Sequence, residues 1–189
     1  MGDAGPGGGT VYFVSSAGFE CGLTLASTCK YLEVSPKSWK AATAATANCV
    51  DVGSYDAKCV WGTLTPYVNS SGAVGQGRKN TKAILDTAGV LTSVAALAST
   101  SYRGGGKDDW FLPSQHELDE MCKFANGKPT GDVATHCSTG TLKSDFATGH
   151  YWSSNDSGSG TAIEIDLGTG LQNYPAKTMQ FIVRPIRAF

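Results

Sequence analysis

The sequence predicts a single α+β domain that has short strands, few helices and long irregular loops. Its 189 residues fit one domain of ordinary size. The chain contains 24 glycines and only 16% charged residues, a composition typical of many turns rather than long helices. Strand-like runs lie near both ends, and the clearest helix signal lies between them. We therefore expect residues 10–189 to form the domain and the Gly-rich residues 1–9 to form a flexible linker.

The first predicted element is a strand at residues 10–14, a β-branched and aromatic run that follows glycine-rich sequence. We expect it to pair with the last strand of the chain. Residues 21–69 are rich in Thr, Ala, Ser and Gly and predict long loops around short elements, with a helix near residues 38–47. Trp39 and Trp61 could stack on a ligand, but large aromatic residues among small ones are more often core anchors.

A helix is predicted after the Gly-Gln-Gly sequence at residues 75–77, with Asn80 or Thr81 as its cap and Gly89 as its end. Residues 90–98 predict a second, shorter helical piece. The Gly-x-Gly spacing resembles half of a phosphate-binding loop. The third glycine and the downstream acid of that motif are missing, so we assign no phosphate site to it.

The strongest element signal is a helix that starts at Ser114. Ser114 and Glu117 have the spacing of a capping box, in which each side chain satisfies a backbone N–H of the first turn. Gly127 supplies the residue that can turn left-handed at the helix end. An apolar stripe of helical spacing lies between these ends and comprises Leu118, Met121, Cys122 and Ala125.

The C-terminal third predicts strands joined by turns. Residues 162–167 alternate apolar and acidic, which indicates a half-buried strand with Ile163, Ile165 and Leu167 facing inward. Residues 168–170 are its turn, and residues 171–178 read as a short strand or a loop. A last strand is predicted at residues 180–186. The arginines of this end, Arg184 and Arg187, could bind an anionic ligand but more often pair with structural carboxylates.

Six cysteines occur as three close couples along the chain, and none belongs to a C-x-x-C pair. Among the 15 connectivities that six cysteines allow, we expect Cys21–Cys29, Cys49–Cys59 and Cys122–Cys137. The alternative is six reduced, buried thiols. Disulfides persist in oxidising compartments, so this pattern predicts a protein that acts outside the cytosol.

Charge and motif spacing exclude several functions. A net charge of −1 and a pI near 6.3 offer no basic footprint for nucleic acid, and no apolar run is long enough to insert into a membrane. Ser114 and His116 have the residue types of a hydrolase triad, but Ser114 is already committed to capping. His136, beside Cys137, does not have metal-ligand spacing. We therefore expect no enzyme activity and no catalytic or metal-ligating residues.

Three motifs in order resemble a known family. They are Trp-Phe-Leu-Pro-Ser at residues 110–114, Tyr-Trp-Ser-Ser at residues 151–154, and Val-Arg-Pro-Ile-Arg-Ala-Phe at residues 183–189. Together they resemble C-type-lectin-fold domains of the formylglycine-generating-enzyme-like branch. The chain is most similar there to the variable proteins of diversity-generating retroelements. The segment at residues 80–84 and the loop between Cys21 and Cys29 also match, so the resemblance covers nearly all of residues 10–189.

This resemblance implies an α+β, C-type lectin fold with paired N- and C-terminal strands and two flanking helices. It also implies a receptor-recognition domain for a protein or cell-surface ligand, on a cell or virion surface and within a longer polypeptide or a virion. In such proteins, adenines in chosen codons are mutagenised, so the encoded residues vary. By position, the resemblance implies that the variable region of this chain lies at about residues 155–181. The ligand-binding residues it implies are Ser157, Ser159, Thr161, Thr169, Leu171, Asn173, Tyr174, Thr178 and Phe181. Gln172, Lys177, Met179 and Gln180 do not fit the codons involved.

Other functions of related folds find less support. A formylglycine-generating oxidase needs reactive cysteines near the end of the domain, but no cysteine follows Cys137. A calcium-dependent sugar lectin needs a Glu-Pro-Asn or Gln-Pro-Asp loop, and neither tripeptide occurs. We expect no cofactor, and a structural calcium has no motif behind it. The acids that could hold one are Asp108, Asp109, Asp156 and Asp166. The main alternative function is a fixed adhesin or structural domain of a surface or phage protein.

Overall fold

The computed structural model describes residues 1–37, 39–40, 49–50, 57–62, 67–88, 94–158 and 160–189 of the chain. In these residues, strands form two sheets and three α-helices pack beside them, so the mixed α+β class is confirmed. The helices are α1 (Gly77–Ala88), α2 (Val94–Ser101) and α3 (Gln115–Ala125). The strands are β1 (Thr10–Cys21), β2 (Ser27–Val34), β3 (Cys49–Val50), β4 (Lys58–Val60), β5 (His150–Asp156), β6 (Ala162–Asp166), β7 (Gln172–Asn173), β8 (Gln180–Ile182) and β9 (Ile186–Ala188).

The smaller sheet corrects the predicted pairing of the chain ends. Its strand order is β1-β2-β9, so β2 lies between the N- and C-terminal strands. β1 is longer than predicted and pairs antiparallel with β2 after a short connection closed by the Cys21–Cys29 disulfide. A strand that returns this soon takes the adjacent place in the sheet. The C-terminal strand therefore pairs with β2, with Leu32 opposite Ala188.

The Gly-rich N-terminus lies against the domain and does not extend away as a flexible linker would. The backbone N–H of Gly7 donates to both carboxylate oxygens of Glu33, at 2.9 and 3.1 Å. Gly7 and Gly9 are buried, and a Cβ at either would collide with β2 or Trp110. Glycine therefore serves here for close backbone approach rather than for chain flexibility.

α1 begins at Gly77, which corrects the prediction that Asn80 or Thr81 caps it. Both residues lie inside the helix with buried side chains. Asn80 Nδ2 donates to Ser71 O at 2.8 Å, and Thr81 Oγ1 accepts from Leu112 N at 3.1 Å. Their polar groups tie the helix to neighbouring loops, which local sequence spacing does not reveal.

α3 confirms the predicted capping box. Ser114 N donates to Glu117 Oε2 at 2.7 Å, and Ser114 Oγ accepts from Glu117 N at 3.4 Å. Gly127 has a φ of 66°, the left-handed conformation expected after the helix. The whole predicted apolar stripe is buried, so α3 packs that face into the core.

Two predictions for the C-terminal strands need correction. Residues 180–186 are not one strand, because β8 belongs to the larger sheet and β9 to the smaller one. β6 is not half-buried as predicted but is buried on both faces. Ile163 and Ile165 are buried as predicted, and Glu164 on the opposite face is also only 1% exposed. The turn at residues 168–170 is confirmed by the bond from Gly170 N to Asp166 O at 2.7 Å.

The larger sheet has the order β3-β4-β8-β5-β6-β7, and apolar cores lie against both of its faces. Trp39 and Trp61 are core residues, as predicted, and their indole N–H groups donate to Val183 O and Ser153 O. All three predicted disulfides are present. Of the predicted helix near residues 38–47, only residues 39–40 are described, and they are not helical. The predicted helix end at Gly89 lies outside the described residues, and the described part of residues 90–98 belongs to α2.

Candidate functional site

Most of the ligand-binding residues predicted from the sequence lie near one edge of the larger sheet. Thr169, Leu171, Asn173, Tyr174 and Thr178 are exposed. Ser157, Thr161 and Phe181 are half-buried, and Ser159 lies outside the described residues. We call the exposed side of residues 169–179 the edge surface. It gathers five of the nine predicted positions.

The edge surface is built on an extended strand that follows β6 beyond the two residues of β7. Asp166 N donates to Leu171 O at 2.9 Å, and Ala162 N donates to Pro175 O at 3.1 Å. Lys177 N donates to Gly160 O at 2.9 Å, so the pairing continues to the end of this segment. Residues 171–177, called the edge strand below, therefore keep one antiparallel register with β6 at the border of the described sheet. They comprise β7, its flanking residues and the isolated bridge between Thr161 and Ala176.

Large apolar side chains stand out of this surface. Leu171 is 63% exposed, Tyr174 is 58% exposed and Met179 is 49% exposed. Leu171 and Tyr174 are ligand-binding residues predicted from the sequence, whereas Met179 does not fit the codons that would be mutagenised. Their exposure beside polar groups is typical of a recognition surface, because rigid or bulky side chains give contact area and small polar ones give adaptable hydrogen bonds.

A groove of about 400 Å³ runs between the edge strand, α3 and the loop at Cys137. Gln115 Nε2 donates to Gln172 Oε1 at 2.6 Å, and Gln172 Nε2 donates to the Tyr174 hydroxyl at 2.6 Å. These bonds orient Tyr174 at the groove. Its lining comprises Gln115, Asp119, His136, Cys137, Gly170, Leu171, Gln172 and Tyr174. Sequence reasoning missed the first three, because their contact with the edge strand depends on tertiary packing.

Beside the edge strand, Glu164 is buried at the centre of a polar cluster. Its Oε1 accepts from Asn173 Nδ2 at 2.6 Å and lies 3.1 Å from His150 Nδ1. Its Oε2 has no hydrogen-bond partner among the described residues. Burial raises the pKa of this carboxyl, opposed by the hydrogen bonds from Asn173 and His150. Asn173 is thus held in place from below by β6.

Phe181 is more a frame residue than a free contact residue. Its ring lies 4.9 Å from the His150 ring and 4.8 Å from the Trp152 ring, and it is half-buried. Phe181 therefore exposes only part of its side chain, and its assignment to the ligand surface stays a prediction. Its remaining area packs on the Trp152 core.

A buried ion pair fixes both ends of the region that carries the edge surface. Lys177 Nζ lies 2.8 Å from Asp156 Oδ2, and both side chains are fully buried. The ammonium group also lies 4.9 Å from the Trp61 ring, and Val68 N donates to the same carboxylate at 2.9 Å. Asp156 lies near the start of the variable region predicted at about residues 155–181 and Lys177 lies near its end, so the ion pair joins the two ends of that region.

The residues that resembled catalytic or phosphate-binding groups have structural partners. Ser114 Oγ donates to Ala73 O at 2.8 Å. Gly75 N donates to Glu117 Oε1 at 2.8 Å, so the Gly-x-Gly loop encloses a carboxylate of the same chain. Burial raises the Glu117 pKa to about 7, although hydrogen bonds from Ser114, Gly75 and Gly77 act against the shift.

The four acids considered for calcium have other contacts or lie apart. Asp156 pairs with Lys177, Asp109 pairs with Arg187, and Asp166 accepts from Gly168 N at 2.9 Å. Asp108 is exposed. Within the residues that the structure describes, no group of three or more His, Cys, Asp or Glu side chains is arranged to hold a metal ion.

The two C-terminal arginines are structural. Arg187 pairs with two carboxylates, as predicted. Its Nε contacts Asp109 Oδ1, and its Nη1 lies 3.0 Å from Glu33 Oε1. Arg184 instead donates to backbone carbonyls, including Ser35 O at 2.7 and 2.9 Å. Both side chains are buried and bind the chain end to the domain.

No family model matches this chain, and no curated protein matches it significantly. Among the described residues, the helices are too short or too polar to cross a lipid bilayer. The three disulfides indicate an oxidising compartment, outside the cytosol.

Proposed function

We propose that this chain is a ligand-recognition domain that binds a protein or cell-surface ligand through the edge surface. The observation that carries this proposal is the exposure of Leu171 and Tyr174 beside Asn173 and Thr178, next to an open groove. Isolated exposed apolar residues are ordinary on protein surfaces, but apolar anchors beside a groove with adaptable polar groups are typical of binding sites.

The surrounding frame supports this function because it can tolerate substitution at the surface. The Cys122–Cys137 disulfide, the Lys177–Asp156 pair and the Trp152 core are all buried beneath or beside the edge surface. Asn173 hydrogen-bonds the buried Glu164, but the exposed side chains of Leu171, Tyr174 and Thr178 carry little of that packing. These three side chains can therefore change while the backbone that presents them stays in place.

The finer form of the proposal is a C-type lectin fold whose surface residues are diversified by a retroelement. Sequencing many alleles or sibling copies tests it, and we expect substitutions to concentrate within residues 155–181 at the exposed positions. Beside the gene, a reverse transcriptase gene and a near-copy template repeat are expected. An invariant segment, or variation mainly elsewhere, would instead favour a fixed adhesin or structural domain.

The binding function itself is tested by panning a phage-displayed random-peptide library on the immobilised domain. We expect the wild-type domain to enrich binders that a Leu171→Ser, Tyr174→Ser double variant does not retain. A matched control is Val14→Ser with Leu23→Ser, which removes exposed apolar side chains from the β1–β2 hairpin. The proposal fails if the wild type enriches nothing, or if the control loses binding as much as the double variant.

A further inference from the structure

We infer that the edge strand binds an extended polypeptide segment of the ligand by adding it to the larger sheet as a further strand. This inference deepens the proposed function and rests on it. It assigns the main contact to backbone groups of residues 171–177 rather than to their side chains. The partner is thereby a protein ligand with an unpaired, extended segment.

The direction of each backbone group follows from the hydrogen bonds between β6 and the edge strand. Bonds join Asp166 to Leu171, Ala162 to Pro175 and Gly160 to Lys177. These pairs alternate in an antiparallel ladder, in which every second residue points its N–H and C=O toward its partner. Hence the backbone polar groups of residues 171, 173, 175 and 177 point toward β6.

Gln172 lies opposite Ile165 in this register, which is a pair without hydrogen bonds between the strands. Its backbone N–H and C=O therefore point outward, and the same parity turns those of Tyr174 outward. In the described part of the chain, no turn, loop or side chain hydrogen-bonds to these four groups. The outward backbone groups of Gln172 and Tyr174 therefore have the two-residue spacing that pairing with a further strand requires.

The edge strand exposes no charged side chain, since Lys177 is buried against Asp156, and its one proline does not block the outer edge. Natural edges are often blocked by charged side chains or by proline, yet residues 171–176 read Leu-Gln-Asn-Tyr-Pro-Ala and carry no charge. The missing N–H of Pro175 is on the side of β6, because Pro175 O accepts from Ala162 N. The proline therefore leaves the outer edge open.

An open groove borders this edge. The groove of about 400 Å³ follows Gly170, Leu171, Gln172 and Tyr174 and is bounded by α3 and the Cys137 loop. Side chains of a strand alternate between the faces of a sheet, so Gln172 and Tyr174 would flank one side of an added strand and Asn173 the other. Backbone pairing supplies affinity that persists when these side chains change.

The inference is tested with Gln172→Pro and Gln172→Ala, using peptides enriched by the wild-type domain. Proline removes the outward N–H but spares the bonds to β6, because those bonds do not use the Gln172 backbone. Alanine removes the side chain and keeps the N–H. Both variants lose the side chain that orients Tyr174, so Gln172→Ala is the reference. We expect Gln172→Pro to bind the peptides about tenfold or more weakly than Gln172→Ala does, because only proline also lacks the N–H.

A peptide-side measurement keeps the test independent of folding of the proline variant. N-methylation of the peptide at successive residues should weaken binding at every second position, as strand pairing requires. Hydrogen exchange at the Glu164 amide shows whether the β6 ladder survives in Gln172→Pro.

The possible outcomes separate the two proposals. Peptides that depend on Tyr174 but bind Gln172→Pro as tightly as Gln172→Ala, with no alternating N-methyl effect, would overturn strand addition and leave the recognition function standing. Absence of any enriched peptide would count against both. A dimer in light scattering that Gln172→Pro dissociates would assign this edge to a second copy of the chain and overturn the peptide assignment.

Discussion

At the residue scale, several polar side chains have structural roles, although their residue types and spacing in the sequence resemble those of catalytic or ligand-binding groups. Ser114 and Glu117 serve a helix start, and the glycines at 75 and 77 enclose the Glu117 carboxylate. Lys177 and Arg187 are buried cations that hold distant carboxylates. Each of these groups is fixed by partners within the chain, whereas Leu171 and Tyr174 present most of their surface to solvent.

Glu117 predicts a pH dependence of stability. Burial raises its pKa from 4.5 to about 7, so the folded state binds this proton more tightly than the unfolded state. The stabilisation is complete below the unfolded pKa and is lost as the pH rises through about 7. This single group should lower the free energy of unfolding by about 3 kcal/mol between pH 4 and pH 8.

Guanidinium denaturation across this pH range measures the effect. Glu117→Gln should remove this group's contribution to the change in the free energy of unfolding with pH. Glu20→Gln, at an exposed position, should leave that pH dependence as in the wild type. An identical slope in wild type and Glu117→Gln would show that the carboxylate stays ionised in the folded protein, held by its N–H donors.

Lys177 predicts a large loss of stability on substitution. Lys177→Met leaves the Asp156 carboxylate buried without its cation, and breaking such a pair costs about 3–5 kcal/mol. Lys82→Met removes an exposed helical pair with Asp86 and should cost about 0.5 kcal/mol or less. Chemical denaturation distinguishes the two variants. Equal, small effects would mean that the fold relaxes to hydrate Asp156.

At the element scale, the edge strand and α3 form the groove together, and neither does so alone. The Gln115–Gln172 bond joins the first turn of α3 to the edge strand. On the other side, Cys137 N donates to Asp119 Oδ1 at 2.9 Å, and the Cys122–Cys137 disulfide anchors the loop to the helix. The groove wall is therefore covalently fixed to α3.

Removal of this disulfide should affect both stability and recognition. It closes a loop with a sequence separation of 15, for which chain entropy predicts about 3 kcal/mol of stabilisation. Cys122→Ala with Cys137→Ala should lower the free energy of unfolding by that amount and weaken affinity for panned peptides. The Cys21→Ala, Cys29→Ala control opens a shorter loop on the other sheet and should leave affinity intact. Equal affinity in both variants would contradict a functional groove wall.

At the scale of the whole molecule, a rigid frame surrounds one uncharged, exposed edge. Two cores lie against the larger sheet, three disulfides brace the loops, and the N-terminal glycines and C-terminal arginines are bound to the smaller sheet. This distribution places fixed packing at both chain ends and exposure between residues 169 and 179. A molecule built in this way can vary one surface without losing its fold.

The sequence by itself determined the features that depend on neighbours along the chain. The capping box at Ser114, the turn after Asp166, the three disulfide couples and the buried tryptophans all follow from spacing and residue type, and the structure confirms them. Local hydrogen bonds and short loops involve few competing partners, so they can be predicted from the amino-acid sequence.

Only the tertiary structure decided the features that join distant residues. It placed β2 between the terminal strands, divided the last predicted strand between two sheets and buried both faces of β6. It also paired Lys177 with Asp156 across 21 positions and Arg187 with Glu33 across 154. Strand order and buried ion pairs depend on which surfaces meet in the compact chain, and for this reason the open outer edge of residues 171–177 was visible only there.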